Sequence, residues 1–403
     1  MEKILLSSNV MSENGKRQNR YIIFSLLILV EYVNSLLRYF EIIDMSKGVT
    51  LRKLIFVFIL ISAFYFGVRK MQASSINTFY IPQTMLSFIV MYAYFIFIYF
   101  LNAKQIDITD ISNMIMPFIM GAIGYISNFP LNLKRYNVFL MIYVLVLSGM
   151  YLVNVRYGEF NYTPVGLNSI YYIVLIFPLV FAIKNKLVKK ILIGLIMGLT
   201  IVSWKTTAIL CVCCCLLVYY FVKDKKITWR IVVFPVVFLS TFLIIYIISD
   251  VALGMNIIET YISSNISDGG NGRLDIWANV FEVFCDGNII QILFGRGFDA
   301  TLKIIGRSAH NDYLEVLFCF GIVGISLLMI NLFKCLKYGW EMFKADYKYA
   351  AVFFMLLAET VIMFFFSNLL YVASYILIIV INMFTIISDY KRWKAKEVIG
   401  EKI

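Results

Sequence analysis

The chain has 403 residues, 61% of them hydrophobic and 15% charged, whereas soluble chains carry roughly a quarter charged residues. That balance excludes an ordinary soluble domain, and the lack of short alternating apolar–polar strands excludes a membrane β-barrel. The formal net charge of +12 raises the idea of a nucleic-acid binder, which the placement of the charges excludes below.

Apolar blocks of about 17–22 residues recur between short charged patches, the length a helix needs to cross a ~30 Å hydrocarbon core. Backbone groups in lipid must find partners within their own segment, so each block reads as a helix. The expected fold is an all-α polytopic membrane protein of about twelve transmembrane helices. The spans fall near 21–37, 52–68, 82–102, 111–128, 136–155, 167–183, 188–203, 206–222, 230–249, 312–333, 349–367 and 369–387. The first block contains Glu31 and lacks a small-residue cleavage site, so it reads as a retained helix rather than a signal peptide. Residues 1–249 would hold nine helices, 250–311 one large outer loop with short helices, and 312–403 the last three helices with a short tail. Of the 36 Lys and Arg residues, 25 fall on the side that carries both termini and 11 on the other. Short basic connections favour the cytoplasm, so both termini are expected there. The basic excess is thus a topology signal, and no nucleic-acid partner is expected.

The outer loop is the place to seek chemistry. It is polar and glycine-rich at Ser263–Arg273, helical in pattern from Leu274 to Phe284, and glycine-rich again at Gly295–Gly297. Loops of this length are usually functional or disordered, and Trp277, Phe281, Phe284, Ile292 and Phe294 argue against disorder. His310, the one histidine of the chain, lies where the loop enters the tenth span and can accept a proton near neutral pH. Arg273, Arg296, Lys303 and Arg307 share the loop, and Lys205 lies on the same face between two closely joined spans. Lys303 reads as a solvated charge. Arginine presents a planar fork suited to phosphate oxygens, and two or three such cations can neutralise a diphosphate without a metal. No Asp-x-Asp clamp is present; Asp268, Asn271 and Asp275 have the wrong spacing for a calcium loop. No metal or other cofactor is therefore expected. Cys211, Cys213, Cys214 and Cys215 share one apolar span and read as small hydrophobes. Glu31 and Glu359 lie within spans, where ionisable groups are functional candidates without partners identifiable from sequence.

His310-Asn311, nine residues, then Gly321-Ile322-Val323-Gly324 resembles the His-Asn-x9-Gly-x-x-Gly signature of the O-antigen ligase and polymerase superfamily. Gly295-Arg296-Gly297 and Ala309-His310-Asn311-Asp312-Tyr313-Leu314-Glu315 resemble that family's loop-to-helix junction. Asn271-Gly272-Arg273-Leu274-Asp275-Ile276-Trp277 is similar to its Gly-Arg…Trp element. Ser203-Trp204-Lys205-Thr206-Thr207-Ala208 resembles its Ser-Arg-Thr-Ala junction, with Lys205 where arginine is usual, and Gly166-Leu167-Asn168 matches a looser Gly-x-Asn element.

The resemblance implies an inverting glycosyltransferase of the bacterial inner membrane. Its substrate would be an oligosaccharide carried on undecaprenyl diphosphate, bound among membrane lipids between the spans and under the loop. His310 and Arg273 would be catalytic; Lys205, Arg296, Arg307, Asn311, Asn168 and Glu315 would hold the diphosphate or sugar. The favoured activity is polymerisation of O-antigen or capsule repeat units, with a flippase and a chain-length regulator as partners. Ligation of finished polymer to lipid A-core is the alternative. A polysaccharide flippase or other transporter would account for the spans and for Glu31 and Glu359, but the sequence shows neither the repeated halves nor the broken helices of that class.

Overall fold

The computed structural model describes residues 83–102, 107–127, 134–157, 168–203, 205–224, 272–367, 370 and 373–399, with scattered positions between 23 and 61 and at 236 and 240. Most of the expected spans 21–37, 52–68 and 230–249 lie outside the described residues, as do Glu31, Gly166, Leu167, Trp204 and the loop stretch 250–271.

Every regular element among the described residues is a helix. In chain order they are α1 (Gln83–Asn102), α2 (Ile108–Ser127), α3 (Lys134–Tyr157), α4 (Ile170–Val174), α5 (Phe177–Val180), α6 (Lys186–Val202) and α7 (Thr206–Asp224). There follow α8 (Arg273–Cys285), α9 (Ile289–Phe294), α10 (Ala300–Ile305), α11 (Asp312–Lys344), α12 (Ala350–Phe366) and α13 (Ala373–Ile399). Helices α1, α7 and α11 are long and apolar enough to cross a membrane, and four shorter apolar helices accompany them at 110–126, 137–153, 170–180 and 350–366.

Three expected spans take a different form, the last of them, 369–387, running on as α13 to Ile399. The block 167–183 resolves into α4 and α5, because Pro178 at the start of α5 has no N–H to offer the preceding turn. The rod is tightened rather than unwound: the Leu175 amide still reaches the Tyr171 carbonyl at 2.9 Å, and the Ile176 amide reaches Ile173 at 3.2 Å. The span expected at 312–333 runs on to Lys344, and its helical backbone is interrupted at Gly321 (φ 67°, ψ −168°).

That interruption has a structural use. It frees carbonyls that helical amides would otherwise take. The Arg296 amide donates to the Phe318 carbonyl at 3.3 Å and the Gly297 amide to Cys319 at 2.9 Å. The Tyr94 hydroxyl of α1 donates to the Phe320 carbonyl at 2.8 Å. A Cβ on Gly321 would run into the Leu293 carbonyl, and one on Gly295 into the Cys319 carbonyl. Both glycines hold left-handed φ. The Gly295-Arg296-Gly297 and Gly321 motifs are thus two halves of one joint, which docks α9 on α11.

Between helices in lipid, close backbone approach and polar bridges replace the hydrophobic drive. Helix α2 meets α13 through Gly124, where a Cβ would strike the Ile381 carbonyl. The Ser388 hydroxyl donates to the Tyr125 carbonyl at 2.7 Å across the same pair. On α1 and α11, the Ser87 hydroxyl donates to Asn331 Oδ1 at 2.9 Å and Asn331 returns a bond to the Ser87 carbonyl at 3.2 Å. Helices α6, α7, α11 and α12 define two ends of the bundle. The α6–α7 junction, the start of α11 and the end of α12 gather at one end, which is where the loop helices α8–α10 dock.

Candidate functional site

Arg273 is the first residue of α8, directly after Gly272, whose φ of 71° turns the chain into the helix. Its Nη1 donates to the Phe366 carbonyl at the end of α12 at 3.4 Å. Four residues on, Trp277 lies on the same helical face. Its Nε1 donates to the Ala309 carbonyl at 2.7 Å, and its ring meets Phe365 edge-on at 5.6 Å. One turn of α8 therefore carries a guanidinium to the end of α12 and ties down the residue before His310.

His310 itself has φ of 50°, in the left-handed region where a non-glycine side chain persists only if its surroundings impose it. Those surroundings are specific. Glu315, one turn into α11, accepts hydrogen bonds from the Ser308 hydroxyl at 2.6 Å, the Ala309 amide at 2.6 Å and the Thr301 hydroxyl. Asn311 caps α11, its Oδ1 accepting from the Tyr313 and Leu314 amides at 3.0 and 3.2 Å. Asp312 Oδ2 accepts the Leu370 amide at 3.0 Å. The backbone on both flanks of His310 is thus held by a bracket of side chains.

Lys205 sits at the α6–α7 junction, where its amide donates to the Ser203 hydroxyl at 3.3 Å. Its ammonium lies 5.7 Å from the ring centre of Tyr171 on α4, and Tyr171 shares a hydrogen bond with Thr207. Burial, with Arg273 nearby, lowers the Lys205 pKa to about 8. Burial also lowers the His310 pKa, and the charges of Arg273 and Lys205 lower it further. Three segments distant in sequence thus place two cations and an imidazole within electrostatic reach of one another. Both charges acting on the imidazole are positive, and an anion among them would relieve their repulsion.

The other sequence candidates fall into two groups. Asn168 stands on the turn into α4, its carbonyl accepting the Tyr171 amide at 3.1 Å, beside the residue under Lys205. Arg307 is exposed just after α10. Arg296 is turned away and braces the fold instead: its Nη2 donates to the Val283 carbonyl at 2.6 Å and its guanidinium lies 5.1 Å from the Phe318 ring centre. Glu315 and Asn311 are occupied with the loop and the helix start on either side of His310. Glu359 is fully buried on α12, away from these residues. Sequence reasoning missed Tyr171, Thr301 and Ser308 as members of the site, and it met Trp277 as an apolar residue and as part of the Gly-Arg…Trp element without assigning it a role. Trp277 stands four residues after Arg273, a helical spacing that marks a shared face.

Residues 191–329 match the family model described as O-antigen ligase. That stretch, about a third of the chain, is similar to the O-antigen ligase family. The matched stretch contains Lys205, Arg273, His310, Glu315 and Gly321, and ends before the last two helices. The O-antigen ligase family takes in ligases and related polymerases, glycosyltransferase-like enzymes acting on lipid-linked polysaccharide. Among curated proteins, none matches the chain.

Proposed function

We propose that this protein belongs to the O-antigen ligase family and is an inverting glycosyltransferase that polymerises undecaprenyl-diphosphate-linked repeat units of O-antigen or capsule at the outer face of the inner membrane. The observation that carries the reading is the convergence of Lys205, Arg273 and His310 from three segments, with both charges on the imidazole positive. In this reading the donor's lipid tail lies in the bilayer, its diphosphate among the cations, and its sugars outside. Both termini are then cytoplasmic.

The reaction displaces the diphosphate at the sugar C1. The acceptor hydroxyl attacks C1, a new C1–O bond forms as the bond to the diphosphate oxygen breaks, and undecaprenyl diphosphate leaves. Neutral His310 accepts the hydroxyl proton; its lowered pKa keeps it unprotonated at neutral pH, as a base must be. Such help is worth about 10²–10⁴-fold. Arg273 and Lys205 stabilise the negative charge that grows on the leaving diphosphate. A cation ~4 Å from a phosphate oxygen gains about 4 kcal/mol before desolvation at an effective dielectric of ~20.

The test is direct. Purified protein given undecaprenyl-diphosphate oligosaccharide should release undecaprenyl diphosphate and yield longer chains. A ligase would release the carrier only when lipid A-core is supplied. Substrate that crosses the bilayer unaltered would identify a transporter and end the enzymatic reading. A chain-length regulator and a flippase belong to the same proposal as partners.

A further inference from the structure

At the end of the bundle opposite His310, the start of α6, the end of α7, the end of α11 and the start of α12 enclose a cavity of about 520 Å³, within the 300–1,000 Å³ range of small-ligand sites. Five lysines line it, Lys184, Lys186, Lys189, Lys223 and Lys348, against one carboxylate, Asp346. Lysines at the end of a membrane bundle are ordinary, but these five share one space, four of them solvent-exposed around it. Lys189 is half-buried and donates to the Phe181 carbonyl at 2.9 Å, close enough to Lys223 for the two charges to repel. Lys223 lies 5.3 Å from the Tyr219 ring centre and Lys348 4.9 Å from that of Tyr349.

The walls are built rather than accidental. The Tyr347 hydroxyl donates to Asp389 Oδ2 at 2.6 Å, and Asp389 Oδ1 pairs with Arg392 at 2.7 Å. The Tyr347 ring also packs against Tyr349, Tyr390 and Trp393 at 5.2–5.7 Å between centres. Asp346, in the turn that brings Tyr347 and Lys348 to the cavity, has φ of 52° and closes α11 as a left-handed C-terminal cap, with the Tyr347 amide on the Met342 carbonyl at 3.0 Å. The first turn of α12 forms part of the wall through Ala350, Ala351 and Val352, and no side chain caps it. Uncapped first-turn amides carry the positive end of the helix dipole toward the cavity.

We propose that this cavity is a second anion site, which takes a small phosphate-bearing group: the phosphodiester headgroup of an anionic lipid in the leaflet at that end, or free phosphate. Lys189 is its inner ligand, Lys223 stands beside it, and Lys184, Lys186 and Lys348 complete its rim. The site stands independently of the glycosyltransferase reading, because it shares no residue with the His310 cluster.

The experiment is native mass spectrometry of the full-length protein in a neutral detergent, with phosphatidylglycerol, phosphatidylcholine, or phosphatidylglycerol plus inorganic phosphate. The expected result is selective retention of phosphatidylglycerol. Retention should weaken by roughly fivefold for each lysine neutralised, ~25-fold in Lys189→Gln/Lys223→Gln, and persist in Lys189→Arg/Lys223→Arg. Arg273→Gln, at the other end, should leave it unchanged. Displacement of the lipid by millimolar phosphate would assign a soluble ligand to the same site; resistance to it would assign the lipid. Equal retention of the two lipids without any phosphate adduct, or retention unaltered in the glutamine pair, overturns the proposal. Should the glutamine pair not fold, the lipid preference of the wild type and of the arginine pair decides.

Discussion

Replacing Glu315 by alanine removes the acceptor on which the segment ahead of His310 hangs. Three donors lose their partner at once: the Ser308 hydroxyl, the Ala309 amide and the Thr301 hydroxyl. Glu315 is 3% exposed, Thr301 1% and Ala309 0%, so water does not replace the lost acceptor for two of them. A buried donor left unsatisfied costs about 1–3 kcal/mol, which puts the local destabilisation near 2–6 kcal/mol. His310 already holds a left-handed φ, and without the bracket the backbone relaxes toward an ordinary conformation, swinging the imidazole away from Arg273 and Lys205. A misplacement of ~1 Å costs on the order of 10²-fold in rate. The assay is release of undecaprenyl diphosphate from the lipid-linked donor by purified Glu315→Ala and Glu315→Gln, with membrane insertion checked in parallel. We expect kcat to fall by about 10²-fold or more in the alanine variant and less in the glutamine variant, which keeps one acceptor oxygen, with donor KM little changed. The acid limb of the pH profile should survive in the glutamine variant, because Glu315 holds the base without being it. A raised KM at unchanged kcat would mean that Glu315 binds the donor. That result, or wild-type turnover in Glu315→Ala, refutes the positioning argument.

Three further outcomes follow from the same geometry. His310→Ala should lower turnover by about 10²–10⁴-fold, and Arg273→Ala should abolish long polymer, with both proteins still in the membrane; analysis of polymer length on gels checks this. Burial, Arg273 and Lys205 hold the His310 pKa below 6.5, so the imidazole is protonated only under acid conditions and the acid limb of kcat/KM should lie below pH 6.5. Bound diphosphate offsets the two cations and raises that pKa, which moves the acid limb of kcat to higher pH than that of kcat/KM; Lys205→Gln, with one cation fewer, should move the kcat/KM limb upward as well. Gly321→Ala should lower the thermal stability of the purified protein, since the new Cβ meets the Leu293 carbonyl at a left-handed φ, whereas alanine at Gly198, where nothing lies within 4 Å of the added atom, should be tolerated.

Hydropathy places α1, α2, α3, α6, α7 and α12 within a few residues of their observed bounds, because the period and length of an apolar block are local properties. The rod at 170–183 reads as one helix in sequence because the effect of Pro178 on its own turn is small beside the apolarity of the block. The helix at Arg273–Cys285 is legible from its pattern; α9 and α10, of six residues each, are too short to show a period. For the site, residue type and motif are enough to single out His310, Arg273 and Lys205, since charges in an apolar chain stand out. Arg296 looks the same in sequence. Its engagement with Val283 and Phe318 is a matter of where a tertiary joint falls, which no local pattern encodes. Tyr171 is hidden for the opposite reason, as one tyrosine in an apolar block with nothing local to point at Lys205.

The spacing within the histidine motif has a mechanical meaning. From the cap at Asn311 to the break at Gly321 the chain rises ten residues, about 15 Å or 2.8 turns of helix. This short rigid rod carries the imidazole bracket at one end and the docking joint for α9 at the other. Glu315 grips the loop from its first turn, and Phe318 and Cys319 accept the Arg296 and Gly297 amides from its last. The segment from Gly295 to Ala309 is therefore fastened to one helix at both ends, while Trp277 ties α8, and with it Arg273, to the Ala309 end. Inserting or deleting a residue between Asn311 and Gly321 would rotate one attachment by about 100° relative to the other. A glycine in the middle of a membrane helix is usually a cost. Here it lets the outer segment of α11 work as a handle that sets the base against the two cations.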